Sequence, residues 1–363
     1  MSKLDSKQIF WNAQYKIWKK GNLEAKDIFD IHYIARQRSY KVGEFFAGNS
    51  MYSMGYSLRE YSGYFKQLYV ATEHFVNAGK LDSTHEYKDN PCKILLVPSD
   101  NRRETLQKYT DKLIIPFGPG MFPYTKCIYS DFAIPDIKSY LGKTLLIFPR
   151  HSNYDSIVID NRKRFVDFVN DIARTYNYDT VVCSLYYVDI ARGAYMDYEK
   201  YGWKTWTAGH SANYDFGNCL RTMITLADHI VVQGYGSPSN YALYLNKPVT
   251  FYPASRSVKI EGRGIDEDHN NYVKEFEDKM YDLFGQYTEE VTEEQKEYVS
   301  TLFGYNRVRS PREMNAILSL AAKIVNDKTV NINHIKKIIS KTEYDCIRRI
   351  IQEAIDVRKD YGY

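Results

Sequence analysis

A chain of 363 residues, 44% of them hydrophobic, is long enough for two domains with separate cores. Its 49 Lys and Arg against 45 Asp and Glu leave a net charge of +4 without a long run of one sign, which excludes a basic nucleic-acid tail. The sequence has no apolar stretch of membrane-spanning length, and its five scattered cysteines lack a CxxC spacing, so a spanning helix, a disulfide framework and a zinc ribbon are excluded too.

The opening "MSKLDSKQIFWNAQYKIWKK" carries charges throughout and lacks a signal-peptide core, so we expect a cytoplasmic chain. Within it "SKQIFWNAQYKIWKKG" has helical spacing and stops at Gly21; "NLEAKDIFDIHYIARQRSY" offers a second helix, and "GNSMYSMGYS" reads as a loop. From Lys66 the period changes. "QLYVATEHF" and "CKILLVPS" read as strands, "DNRRETLQKY" as a helix opened by Asp100, and "KLIIPFGPG" as a strand ending in a Gly-Pro turn.

After a linker-like "SDFAIPDIKSYLGK" the alternation becomes regular. Strands are predicted in "TLLIFP", "DTVVCSLY", "WKTWTA", "DHIVVQ" and "KPVTFYP", separated by helices in "NRKRFVDFVNDIARTY", "IARGAYMDYEKYG", "FGNCLRTMITLA" and "SPSNYALYLN". Right-handed βαβ crossovers then leave a doubly wound, Rossmann-like domain. Residues 265 to 363 read as charged helices that cover the sheet or cross back to the first domain. The expected organisation is α/β: an N-terminal α/β domain over 1–140, a Rossmann-like domain over 141–260, and a helical segment over 261–363 packing on both.

In an open parallel sheet the ligand lies beyond the carboxyl ends of the strands. In the second domain those positions hold Arg150-His151-Ser152, Tyr186-Tyr187, Gly209-His210-Ser211 and Gly234-Tyr235-Gly236-Ser237. Gly234 and Gly236 let the backbone approach a ligand closely, while Ser237 or Ser239 caps a helix whose free N–H groups suit an anion such as a diphosphate. Arg150 and His151 would balance its charge. Glycines and serines also make ordinary tight βα turns. The 34 tyrosines likewise admit two explanations, codon bias of an AT-rich genome or rings with polar tips for ligand pockets.

Neither GxGxxG after the first strand nor GxxxxGK[ST] is present, which removes support for hydride transfer and nucleotide hydrolysis. The stretch "GSPSNYALYLNKPVTF" instead resembles the donor-binding half of GT-B glycosyltransferases, where a Gly-Ser/Thr turn opens a helix reading roughly "EALALGKPVI". Tyr241 stands where many members place a Glu that binds a sugar hydroxyl. The order "ATEHF", "ILLVPSDNRRE", "IIPFGPGMFPY", "LLIFPRHS", "GWKTWTAGHSANYDF" is similar to glycosyltransferases of bacterial capsule and lipopolysaccharide loci across residues 66 to 252, although Phe75 replaces the Gly expected after Glu-His.

That resemblance implies a GT-B architecture of two Rossmann-like domains facing a cleft, and transfer of a sugar from a nucleotide-activated donor to a glycan or other hydroxyl acceptor. Glu73 and His74 are the candidate base and its neighbour. Arg150, His151, Ser152, His210, Gly236, Ser237, Ser239 and Tyr241 are the candidate donor contacts, and Gly118 and Pro119 shape the acceptor side. No cofactor is expected beyond the nucleotide sugar as co-substrate. No metal is expected, because no DxD ends a strand and no histidines have metal-ligand spacing; Asp155 and Asp228 read as turn residues. Two other readings stay open. One is a phage enzyme acting on modified DNA bases, using Arg102-Arg103 and Arg162-Lys163-Arg164. The other is a non-catalytic nucleotide- or glycan-binding regulator.

Overall fold

The computed structural model describes residues 30–38, 43–73, 90–129, 131, 133–152, 156–160, 162–234, 236–253, 258–262, 267–327 and 330–363, with side chains left aside at 156–160, 258–262 and 267–274. The first predicted helix, His74 and Phe75, Asp155 and Tyr235 lie outside these residues.

The first sheet is built from β1 (Val70–Thr72), β2 (Ile94–Val97) and β3 (Leu113–Pro116), parallel and in that order. All three are buried along their whole length, as expected of a parallel sheet covered on both faces. Pro116 is tolerated because β3 is an edge strand, and its carbonyl is used from outside the sheet by the Arg309 guanidinium at 2.6 and 2.9 Å. Before the sheet come α1 (Ile31–Arg36) and α2 (Met54–Ser62); α3 (Asp100–Gln107) connects β2 to β3. Helix α3 begins at Asp100 as expected, capped by Ser99, whose hydroxyl accepts the Arg102 N–H; one expectation needs correcting, since the tail of the expected loop "GNSMYSMGYS" starts α2.

The second sheet holds β4 (Thr144–Phe148), β6 (Thr180–Ser184), β7 (Lys204–Trp206), β8 (His229–Gln233) and β9 (Val249–Tyr252), all parallel, in the order β7-β6-β4-β8-β9. The five expected strands are these five. Their order reverses between β4 and β8, the switch point outside whose strand ends open α/β sheets place their ligands. An antiparallel ribbon of β5 (Ser156–Asp160) and β10 (Val258–Gly262) was not foreseen.

Helices α5 (Arg162–Thr175), α8 (Phe216–Leu226) and α9 (Ser237–Tyr244) lie where periodicity put them. The linker-like segment is instead a helix, α4 (Ala133–Leu141): Pro135 falls in its first turn, where a missing N–H costs little, and Gly142 at φ +64° ends it. The helix expected over "IARGAYMDYEKYG" is split into α6 (Tyr187–Ala191) and α7 (Met196–Glu199) by Gly193 at φ +80°.

The remaining chain forms α10 (Glu267–Phe284), α11 (Glu293–Phe303), α12 (Pro311–Ile324), α13 (Ile332–Ile338) and α14 (Lys341–Asp360). Helix α10 packs on β9 and α11 on α9, while α12 reaches α2 and α14 covers β3. One apolar cluster runs from Ile94 and Ile115 of the first sheet through Leu146 and Ile230 of the second to Ile317 and Ile351 of the tail.

His229 opens β8 fully buried, with Nε2 2.8 Å from Thr250 Oγ1 and its ring stacked at 4.4 Å on Tyr287. Burial, and then the nearby Lys143 charge, push its pKa down to about 3. The folded state therefore stays unprotonated while the unfolded chain begins to bind a proton below about 6.5, so stability present above that pH is lost as pH falls. Between pH 6.5 and 5 this one group costs at most about 2 kcal/mol. His229→Gln is expected to flatten that slope, read as the urea midpoint at pH 7 and pH 5; an equally steep slope would place the acid sensitivity elsewhere.

Candidate functional site

A hydrogen bond joins the two strand ends at the switch point. The Arg150 N–H, two residues beyond β4, donates to Gln233 Oε1 at the end of β8 at 3.0 Å, so the turn after β4 is tied to the strand that leads into α9. The Arg150 side chain is half-buried. Burial pulls its guanidinium below the ordinary range, and the carboxylate of Glu277, itself buried on α10, opposes that.

The two histidines of the expected donor set bring little charge. His151 Nδ1 lies 3.1 Å from the Ser152 carbonyl and its ring 4.6 Å from Tyr186; desolvation is the largest influence on it and lowers its pKa. His210 is buried, its Nδ1 accepts the Ala212 N–H at 2.9 Å, and burial followed by the Arg38 charge brings its pKa down to about 4. The His210 imidazole is neutral at pH 7, and the lowered pKa of the exposed His151 makes it a weaker counter-charge for a diphosphate than the Arg150 guanidinium.

Those faces are continuous. His151 meets Tyr186, Tyr186 meets Tyr187 at 4.4 Å, and Tyr187 meets His210 at 4.0 Å, spanning the ends of β4, β6 and β7. Tyr52 closes over them from the first half of the chain, with its hydroxyl 3.2 Å from that of Tyr186 and its N–H donating to the Ser211 carbonyl at 2.6 Å. Tyr52 and Ser53 hold positive φ of 53° and 60°, a conformation costing on the order of 1–3 kcal/mol in a non-glycine residue and concentrated at functional sites. The Ser53 hydroxyl accepts the Gly217 N–H at 3.0 Å, which fixes this segment to the start of α8.

The α9 terminus differs from expectation. Its cap is Gly236, with no side-chain cap bond; Ser237 is the first helical residue, and Ser239 turns its hydroxyl back to the Gly236 carbonyl at 2.7 Å. Pro238 contributes no N–H to the first turn. Tyr241 points into the protein: it is 4% exposed, its ring lies 4.5 Å from Phe122 and within 4° of parallel, and its phenol hydrogen-bonds Ser237. The expected donor contact at Tyr241 is therefore corrected to packing.

The first-sheet candidates are also covered. Glu73 follows β1 but is 1% exposed, with Arg102 Nε and Nη2 both 2.7 Å from its Oε1. A base for an incoming hydroxyl needs an open approach, and a sealed ion pair lacks one. Gly118 (φ +91°) and Pro119 are buried rather than lining an open wall, and a Cβ on Gly118 would come within 2.8 Å of Val308 Cγ2.

Asp189 and Ser152 carry a contact that sequence reasoning missed. Ser152, 3% exposed, donates its N–H to Asp189 Oδ2 at 3.1 Å and Oδ1 at 3.4 Å. Burial pushes the Asp189 carboxyl above the ordinary range, against the hydrogen bonds from Ser152. The available signal was position, since Asp189 lies five residues beyond the end of β6, just past the strand-end pair that was singled out. Asp228 does serve its turn, accepting the Thr144 N–H at 2.8 Å. Two grooves lie elsewhere, one of about 800 Å³ along α5 at Asp167, Asp171 and Arg174, and one of about 350 Å³ between Asn101, Lys279 and Tyr298.

No protein-family model matches the chain, and no curated protein matches it. Among solved structures, a co-structure of S. aureus MnaA with UDP aligns with 72% of this chain and 72% of that chain at 12% sequence identity and a TM-score of 0.38. A superposition that loose carries no assignment.

Proposed function

We propose that this chain is a glycosyltransferase that binds a nucleotide-activated sugar at the β4/β8 switch point and passes the sugar to a hydroxyl acceptor, for which the motif resemblance suggests a bacterial surface glycan. The observation behind this reading is the juxtaposition there: Arg150 on one side of the order reversal, the Gly236-capped start of α9 on the other, and a hydrogen bond joining their strand ends. A guanidinium and a helix N-terminus are complementary to a diphosphate. The rings of Tyr186 and His151 supply an adjoining surface with apolar faces and polar edges.

The reading of modified DNA bases loses the Arg102-Arg103 part of its basic patch. Arg102 and Arg103 are 2% and 5% exposed, and Arg103 Nη2 is engaged by Asp100 at 2.7 Å and Glu353 at 2.9 Å, so neither guanidinium is available to phosphates. Arg162 is paired with Asp197 and Lys163 with Asp167.

The test is binding of nucleoside diphosphates and their sugars, read as thermal stabilisation and by calorimetry. Arg150→Ala is best made together with Glu277→Gln, so that no buried carboxylate loses its counter-charge. Against the Glu277→Gln parent it is expected to weaken diphosphate binding by about 1.5–3 kcal/mol, more than tenfold. Equal affinity in the two proteins would remove the diphosphate from this switch point.

A further inference from the structure

Transfer needs a group to take the acceptor's proton, and the structure shows the expected one, Glu73, enclosed with Arg102. Asp189 stands differently. It sits in α6, immediately after β6, and β6 is the direct neighbour of β4 in the sheet. Its carboxylate reaches across to the turn after β4, where it holds the Ser152 N–H at 3.1 Å and is also hydrogen-bonded by the Ser152 side chain. Arg150, the proposed diphosphate anchor, is two residues away in that turn, a span of at most about 7 Å. The Asp189 side chain is half-buried, neither sealed nor fully in water.

We propose that Asp189 is the proton acceptor of the transfer, placed by Ser152 beside the anomeric carbon of a donor anchored at Arg150; this rests on the donor reading given above. As the acceptor oxygen bonds to the anomeric carbon, its proton passes to the Asp189 carboxylate. The bond between that carbon and the diphosphate oxygen breaks, and its electron pair leaves on the diphosphate, facing Arg150 and the start of α9. The base thus belongs to the same sheet as the donor, not to the first sheet. Desolvation, which makes a carboxylate more basic, acts on Asp189 in the required direction.

Asp189→Asn keeps an oxygen for the Ser152 N–H but cannot take a proton. The assay is UDP or GDP release from UDP-glucose, UDP-N-acetylglucosamine and GDP-mannose, with water or mixed monosaccharides as acceptor, alongside calorimetric UDP and GDP binding. Asp189→Asn is expected to bind the nucleotide within about twofold of wild type and to release it at least about a hundredfold more slowly, the usual size of a general-base contribution. Asp189→Glu, which retains a carboxylate, is expected to recover part of the rate and covers the case in which the Asn protein does not fold. Wild-type release by Asp189→Asn, a loss of binding as large as the loss of rate, or Asp189→Glu as inactive as Asp189→Asn would each overturn the assignment. Wild-type protein that binds UDP or GDP yet releases neither from any donor overturns it while leaving the binding reading intact. Wild-type protein that binds neither nucleotide overturns both.

Discussion

Glu73→Gln is expected to lower the unfolding free energy by about 3–5 kcal/mol, the effect of removing one partner from a buried ion pair. The Arg102 side chain is 1% exposed and has two nitrogens 2.7 Å from Glu73 Oε1, so a neutral amide leaves a buried guanidinium without its counter-charge. The neighbourhood is already committed: Thr72 donates its hydroxyl to Asn49 Oδ1 at 2.7 Å, and Asn49 Nδ2 donates to the Val70 carbonyl at 2.8 Å. Urea unfolding at neutral pH measures the loss. Glu73→Leu with Arg102→Met is expected to recover much of it, since replacing both charges by apolar groups of similar size removes the desolvation cost as well as the attraction. A single-variant loss below about 1 kcal/mol would show that the pair is open in solution, and would return Glu73 to consideration as a base.

Tyr241→Ala is expected to cost about 3–5 kcal/mol, as for other large aromatic side chains removed from a core, and Tyr241→Phe about 1 kcal/mol for the lost hydroxyl bond. The ring is stacked on Phe122, which also meets Tyr244 edge-on at 6.3 Å, and this contact joins the turn after β3 to α9. Tyr241→Glu would introduce the residue common in the resembling family into that apolar stack, and is expected to destabilise more than Ala does because the carboxylate is buried without a partner. Melting temperatures of the three variants rank them. Similar stability of Tyr241→Glu and wild type would mean that the side chain has an open ligand-facing position.

Much of the second sheet was legible because its signals are local. Runs such as "TLLIF" and "HIVVQ", separated by helices with a clear apolar stripe, identify strands and crossovers from a few consecutive residues. Handedness then restricts the topology, and the positions after the strands follow from it. The misses have equally local causes. The stretch "SDFAIPDIKSYLGK" read as linker-like holds a helix whose proline falls in the first turn, and Gly193 interrupted a helix that periodicity alone extended. The β5/β10 ribbon depends on a partner about a hundred residues away, with Val158 opposite Ile260.

The sequence by itself determined the α/β alternation, the five parallel strands of the second sheet and the polar residues at their carboxyl ends. Each of these follows from the spacing of apolar side chains and the turn chemistry of glycine, proline and serine within one short stretch. Tertiary structure alone decided which polar residues are open and charged. Arg102 encloses Glu73, Phe122 covers Tyr241, burial holds His210 neutral, and Ser152 ties Asp189 to the turn after β4. The physical reason is that charge state and accessibility depend on the dielectric and partners around a group, and those neighbours come from segments far apart in the chain.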